Sequence, residues 1–160
     1  MDEQRATELV DQYADTILRI GYTWLGDMDD AKDICQEVLI SLLEETRIFP
    51  DSGQERAWVV RVTINRCKNW KKSAWLRHRA PLEEGLYLSV EDPEPEGDSL
   101  LHHLKQLPDK YRQVLYLRYY EQYEVKEIAA LLGRSPALVS THLARAKARL
   151  KAQLGGRYYE

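Results

Sequence analysis

The sequence predicts an all-α protein: two small helical domains joined by a flexible acidic linker. Three observations predict it. Apolar residues recur at steps of three and four almost everywhere outside residues 80–98. No alternating strand pattern of useful length is present. Charge is segregated into blocks that reverse sign along the chain. The boundaries that follow are residues 1–79 for the first domain, 80–98 for the linker and 99–160 for the second domain. The length of 160 residues suits two such small units.

In the first helix Leu9, Tyr13, Ile17, Ile20 and Trp24 share a face. Gly26 closes it, and Asp27 to Asp30 offer N-caps for a second helix carrying Ile34, Val38, Ser41 and Leu42 on one side. Phe49-Pro50-Asp51-Ser52-Gly53 reads as a loop by its breakers. The third helix runs towards Arg79 with Trp58, Val62 and Arg66 as its apolar-side stripe, so Trp58 is expected in the core. Arg61, Asn65 and Lys68 alternate with that stripe. The linker, APLEEGLYLSVEDPEPEGD, gathers Pro, Gly and acid, a composition that buries too little apolar surface to offset its ordering entropy. A hairpin through Leu86-Tyr87-Leu88 is too short to replace that reading. Helices resume near Ser99 and continue to about Leu154.

The net charge of −3 conceals the segregation that matters. Residues 2–45 hold twelve acids against Arg5, Arg19 and Lys32, whereas residues 56–79 hold eight Arg/Lys and no acid. Residues 83–98 carry seven acids and no base, and from 105 onward eleven Arg/Lys face five acids. Two basic surfaces separated by an acidic connector suit two contacts with a polyanion. The start, MDEQRATELVDQ, is unlike a signal peptide, and no run of about 18 apolar residues spans a membrane. Cys35 and Cys67 are isolated; one disulfide between them is open, but two stray thiols on apolar helix faces read as buried small hydrophobes of a reducing cytosol.

Near the C-terminus Val125, Ile128, Ala129 and Leu132 form a helical stripe ended by Gly133. Ser135-Pro136 then provides an N-cap and a first-turn proline for a helix burying Val139, Leu143, Ala146 and Leu150. This is the pattern of a helix-turn-helix, whose second helix enters the DNA major groove. The exposed side chains near its start are Ser140, Thr141, Ala144 and Arg145, and Arg145 is able to hold guanine by two hydrogen bonds. Lys147, Arg149 and Lys151 suit phosphates. The same geometry also occurs in purely structural bundles. In the N-terminal half, AWVVRVTINRCKNWKKSAWLRHR mixes Arg61, Arg66, Lys68, Lys71 and Lys72 with Asn65, Asn69 and the tryptophans at 70 and 75. Cations neutralise phosphates, rings stack on unpaired bases and amides read base edges.

Asp29-Asp30-Ala31-Lys32-Asp33 matches a magnesium–diphosphate DDxxD, the feature on which an enzyme reading rests. Such a site needs a second acidic motif across a deep apolar cavity, and no such motif lies on a plausible opposing helix. Adjacent His102 and His103 point about 100° apart on a helix and do not share a metal. No HExxH, phosphate-cradling glycine loop or Ser/His/Asp set is present. The expectation is therefore no catalytic residue, no metal, no cofactor and no small-molecule substrate.

In three stretches the chain resembles the extracytoplasmic-function sigma factors of the bacterial sigma-70 family. DDAKDICQEVLISLLEE is similar to the acidic helix of the family's second conserved region, and AWVVRVTINRCKNWKKS to the helix that follows it. LPDKYRQVLYLRYYEQYEVKEIAALLGRSPALVSTHLARAKARLKAQL resembles the fourth region from end to end. The resemblance implies a cytoplasmic bacterial initiation subunit that docks on core RNA polymerase and directs it to promoters. It implies that Asp33, Gln36 and Glu37 meet the clamp helices of the largest polymerase subunit. It implies that Arg61, Asn65, Arg66, Lys68, Asn69 and Lys72 meet the −10 region, where the strands open. Ser140, Thr141, Ala144 and Arg145 match the positions facing the −35 element, and an anti-sigma factor is implied as a further partner. Lys32, Arg134, the Ser140-Thr141-His142 run and Ala144 depart from the family's usual residues, and weak base contacts at the recognition helix would leave DNA shape with more of the specificity. Two other readings remain at this point: a stand-alone helix-turn-helix regulator on duplex operator DNA, and an interaction protein binding RNA or acidic partners through its basic helices.

Overall fold

A computed structural model describes residues 3–77 and 100–154, with side chains for all of these except 73–77 and 100–102. The expected acidic linker, 80–98, and the hairpin weighed within it lie outside the described residues. Every regular element among the described residues is a helix, and these helices fall into two separate compact units. None of them is long and apolar enough to cross a membrane.

The first unit contains α1 (Glu3–Leu25), α2 (Met28–Glu44) and α3 (Ser52–Arg77). Leu9, Tyr13, Ile17, Ile20 and Trp24 of α1 are buried, as their spacing predicts, against Ala31, Ile34, Cys35, Val38 and Leu42 of α2. The two helices turn at Gly26, which takes the left-handed φ of +73° and donates its N–H to the Tyr22 carbonyl at 2.8 Å. Asp27 then caps α2, its carboxylate accepting from the Asp30 N–H at 2.9 Å. Gly21 sets how close α1 and α2 come. A Cβ there would stand 2.8 Å from the Cβ of Ala31 and 3.0 Å from its Cα.

α3 begins earlier than its breakers suggest. Asp51 accepts from the Gln54 N–H at 2.8 Å, so Ser52 and Gly53 are already helical rather than loop. Its buried face is also turned from the expected one. Val59, Val60, Thr63, Ile64 and Cys67 are buried, whereas Trp58, Val62 and Arg66 are only half-buried on its border. Thr63 is tolerated in the core because its hydroxyl donates to the Val59 carbonyl at 2.6 Å. Trp58 packs on Phe49 of the preceding loop, ring centroids 5.9 Å apart. A polar cross-tie joins α1 to α3: the buried Tyr13 hydroxyl donates to Glu55 at 2.7 Å and Arg5 reaches the same carboxylate at 3.0 Å. Burial and the neighbouring Glu55 carboxylate push the Tyr13 phenol upward. Cys35 and Cys67 are free and buried, and burial raises the Cys67 thiol to about 12.

The second unit contains α4 (Leu100–Lys105), α5 (Asp109–Tyr119), α6 (Val125–Leu132) and α7 (Pro136–Leu154). Its core joins Leu104, Leu107, Val114, Leu117, Ile128, Leu132, Val139, Leu143 and Ala146. Leu150, expected inside, is only half-buried, although α7 keeps a partner beyond it: the Gln153 side-chain amide donates to the His103 carbonyl at 2.7 Å. Between α5 and α6 the buried Glu121 accepts from the Tyr116 hydroxyl at 2.5 Å, while Gln122 turns the chain at φ +61°. The Glu124 N–H, donating to Glu127 at 2.8 Å, starts α6. Gly133 ends it at φ +67°. Ser135 then accepts from the Leu138 N–H at 3.1 Å and launches α7.

Candidate polymerase and promoter interfaces

The α2 face is built by helical arithmetic. Asp33, Gln36 and Glu37 stand at i, i+3 and i+4, and all three are exposed. The aspartates one turn earlier are spent on structure. Asp27 caps the helix, and Asp30 is half-buried and hydrogen-bonded by Trp70 of α3. Burial, with Asp27 second, raises the Asp30 carboxyl above its ordinary value. No cluster of three or more side chains able to hold a metal occurs among the described residues, those of the DDxxD included. Trp70, weighed above as a stacking surface, is half-buried against α2. The side chain of Trp75 lies outside the described residues.

On α3, Arg61, Asn65, Lys68, Asn69 and Lys72 fall at i, i+4, i+7, i+8 and i+11 and form one exposed stripe opposite the core. Arg66 does not join them. It leans towards α2, where Nη1 donates to Glu37 at 3.0 Å and Nη2 to the Ser41 hydroxyl at 2.6 Å. Beneath these groups runs a groove of about 480 Å³ lined by Ile34, Glu37, Val62, Asn65, Asn69 and Trp70. At the other end of the stripe Arg61 borders a second groove of about 330 Å³ with Arg47, Phe49 and Trp58 on its walls. Helical spacing carries no signal for that groove, because Phe49 and Arg47 belong to a loop with no periodicity.

On α7, Ser140, Thr141, Ala144 and Arg145 are all exposed, on the side opposite Val139, Leu143 and Ala146. Leu138, one turn before Thr141, is 42% exposed on the same flank and adds an apolar side chain that periodicity alone did not single out. His142 departs from its neighbours. It is buried edge-on against Tyr111, ring centroids 5.8 Å apart, and so is a packing residue rather than part of an exposed run. Burial, then the charges of Arg134, Lys110 and Arg145, hold its imidazole below the ordinary histidine value. Arg134 turns inward from the helix-turn-helix corner and donates to Gln113 at 3.2 Å. Burial lowers its guanidinium. Arg149 lies over the Tyr111 ring at 5.0 Å and Lys147 over Tyr119 at 5.7 Å, so both flanks of α7 are cationic.

An acidic helix face, a cation–amide stripe and a capped helix-turn-helix are thus arranged on two units. The family description "Sigma-70 region 2" matches residues 9–77, and "Sigma-70, region 4" matches residues 98–150. The chain belongs to the sigma-70 family. It is similar to the "RNA polymerase sigma-E factor" of Streptomyces avermitilis, 34% identical over 94% of this chain and 85% of that protein. It is also similar to the "ECF RNA polymerase sigma factor SigW" of Bacillus subtilis, 27% identical over 96% of this chain and 90% of that protein. In fold it matches the sigma factor RpoE of Bartonella quintana, solved in complex with the anti-sigma factor NepR. That match has a TM-score of 0.72 at 16% identity and covers 99% of this chain and all of the other. CnrH, solved with the cytosolic domain of CnrY, matches with a TM-score of 0.59 at 19% identity over 96% of this chain and 89% of that one.

Region 2 therefore occupies α1–α3 and region 4 occupies α4–α7. The chain is an RNA polymerase sigma factor of the extracytoplasmic-function type, with core polymerase and promoter DNA as its partners. A stand-alone regulator leaves the whole region 2 match without a role, and that reading is set aside.

Proposed function

We propose that this sigma factor divides its work among three surfaces. Asp33, Gln36 and Glu37 of α2 dock on the clamp helices of the largest polymerase subunit. Arg61, Asn65, Arg66, Lys68, Asn69 and Lys72 of α3 engage the −10 region as its strands part, with cations on phosphates and amides on exposed base edges. Ser140, Thr141, Ala144 and Arg145 of α7 read the −35 element in the major groove. The domain limits 1–79, 80–98 and 99–160 serve this division, the acidic connector following a path built for nucleic acid. The chain acts in the bacterial cytoplasm without a catalytic step, cofactor or small-molecule substrate of its own. An anti-sigma factor is its proposed inhibitor, since solved sigma factors of this fold are bound to such a protein in at least one case.

The observation that carries the reading is one unit presenting an exposed acidic face on α2 and an exposed cation–amide stripe on α3. Two surfaces of opposite charge suit a protein partner and a polyanion held at the same time. Reversing Asp33 and Glu37 to Lys tests it. Binding to purified core polymerase, followed by fluorescence anisotropy, is expected to be lost, while duplex binding by the second unit in the full chain persists. Full promoter-specific transcription by that variant overturns the clamp assignment.

A further inference from the structure

We propose that Glu37 and Ser41 of α2 hold Arg66 away from DNA until polymerase docks, so that Arg66 couples the polymerase-facing and promoter-facing sides of the first unit. The proposal rests on the surface assignments above. Its starting point is the placement of one guanidinium. Arg66 lies in the middle of a basic helix, yet Nη1 is taken by the Glu37 carboxylate at 3.0 Å and Nη2 by the Ser41 hydroxyl at 2.6 Å. Glu37 and Ser41 are one turn apart on α2, so the two acceptors form a fork matched to the planar donor. Arg61, Lys68 and Lys72 point to solvent from the exposed stripe.

Glu37 belongs at once to the acidic docking face and to this fork. A cationic partner arriving at Asp33 and Glu37 competes with Arg66 for the carboxylate. Its own positive charge also repels the guanidinium towards the stripe. The groove between α2 and α3, with Asn65 and Asn69 on its rim, leaves room for that swing. Free protein then meets single-stranded DNA with one cation withheld, and docked protein with all of them. Thermodynamic reciprocity requires DNA bound to Arg66 to favour polymerase in turn. The side chains of Arg66 and Glu37 are 38% and 47% exposed, which keeps the coupling modest, about two- to five-fold.

The test uses the full chain and a fluorescent single-stranded oligonucleotide taken from a promoter mapped for this factor. Affinity is measured with and without core polymerase at fixed salt. Ser41→Ala leaves the docking face intact and removes one arm of the fork. It is expected to tighten binding by the free chain about two- to five-fold. Arg66→Ala is expected to abolish that gain, and the gain is expected to vanish once polymerase is bound. Glu37→Gln is expected to tighten binding of the free chain in the same way. Unchanged affinity of the free Ser41→Ala and Glu37→Gln chains overturns the proposal. So does a gain that survives Arg66→Ala or persists undiminished in the polymerase complex. If Arg66→Ala also leaves promoter opening by the polymerase complex untouched, the placement of Arg66 among the −10 contacts fails as well. Melting curves of each variant separate these results from loss of fold.

Discussion

The two helices proposed to face the promoter, α3 and α7, carry similar charge but differ in what surrounds it. α3 bears its cations on a long stripe spaced with two asparagines, and aromatic-lined grooves lie along the unit. α7 keeps small side chains at its start, Ser140, Thr141 and Ala144, and sets its cations on the flanks over Tyr111 and Tyr119. A helix entering a groove needs a slim leading edge with charge to either side. A surface holding a parted strand needs length, amides and ring faces. Positive charge alone does not separate these roles, and the company it keeps does.

The largest effect that sharpens this contrast is electrostatic. Replacing Arg61, Lys68 and Lys72 together by Ala should weaken single-strand binding steeply and flatten its log–log salt dependence by about two, at about 0.7 per phosphate. Duplex binding should change little. Replacing Lys147, Arg149 and Lys151 should do the reverse, flattening the duplex slope by up to about 0.9 per phosphate lost. Salt titrations of both variants on both probes measure this. Equal losses on the two probes would erase the proposed division of labour.

A smaller effect concerns readout rather than grip. Arg145→Ala should cost about 1–3 kcal/mol at one base position if its guanidinium is held by a guanine edge. Binding to a set of singly substituted −35 duplexes checks this, and a uniform loss across the set would reduce Arg145 to a phosphate contact. Ser135→Ala acts one step further back. It removes the oxygen that accepts from the Leu138 N–H, and should cost the second unit about 0.5–2 kcal/mol in urea melts while leaving the first unit unaffected. A loss shared by both units would mean that they do not unfold separately.

The fold was legible where the signal is local. The faces of α1, α2 and α7 follow from three-and-four spacing, and Asp27, Gly133 and Ser135 mark helix ends through their own chemistry. What failed was non-local. Trp58 and Val62 are more apolar than Thr63, so spacing and hydropathy place the stripe through them. The core instead takes Thr63, whose hydroxyl is satisfied within its own helix. Arg66 looked like one more cation in a basic run, because nothing nearby in sequence announces a partner 29 residues earlier. His142 stands between exposed polar neighbours, yet the Tyr111 ring from α5 covers it.

That burial yields the smallest prediction. The imidazole of His142 touches Tyr111 and feels Arg134 from the helix-turn-helix corner, Lys110 from α5 and Arg145 from its own helix. Each of these charges, like burial itself, disfavours the protonated ring, so its folded value lies below the unfolded one of about 6.5. Above that pH both states carry a neutral ring and stability is indifferent to it. As pH falls below about 6.5 the unfolded chain takes up the proton first, and the second unit loses stability until the folded ring protonates too. The slope from this one group is at most about 1.4 kcal/mol per pH unit. Urea melts of the full chain between pH 7.5 and about pH 5 should show the second unit weakening, and His142→Gln should remove that part of the dependence. If the variant loses stability on acidification as steeply as the parent, the sensitivity lies in other groups. The recognition helix would then owe its seat to apolar packing alone.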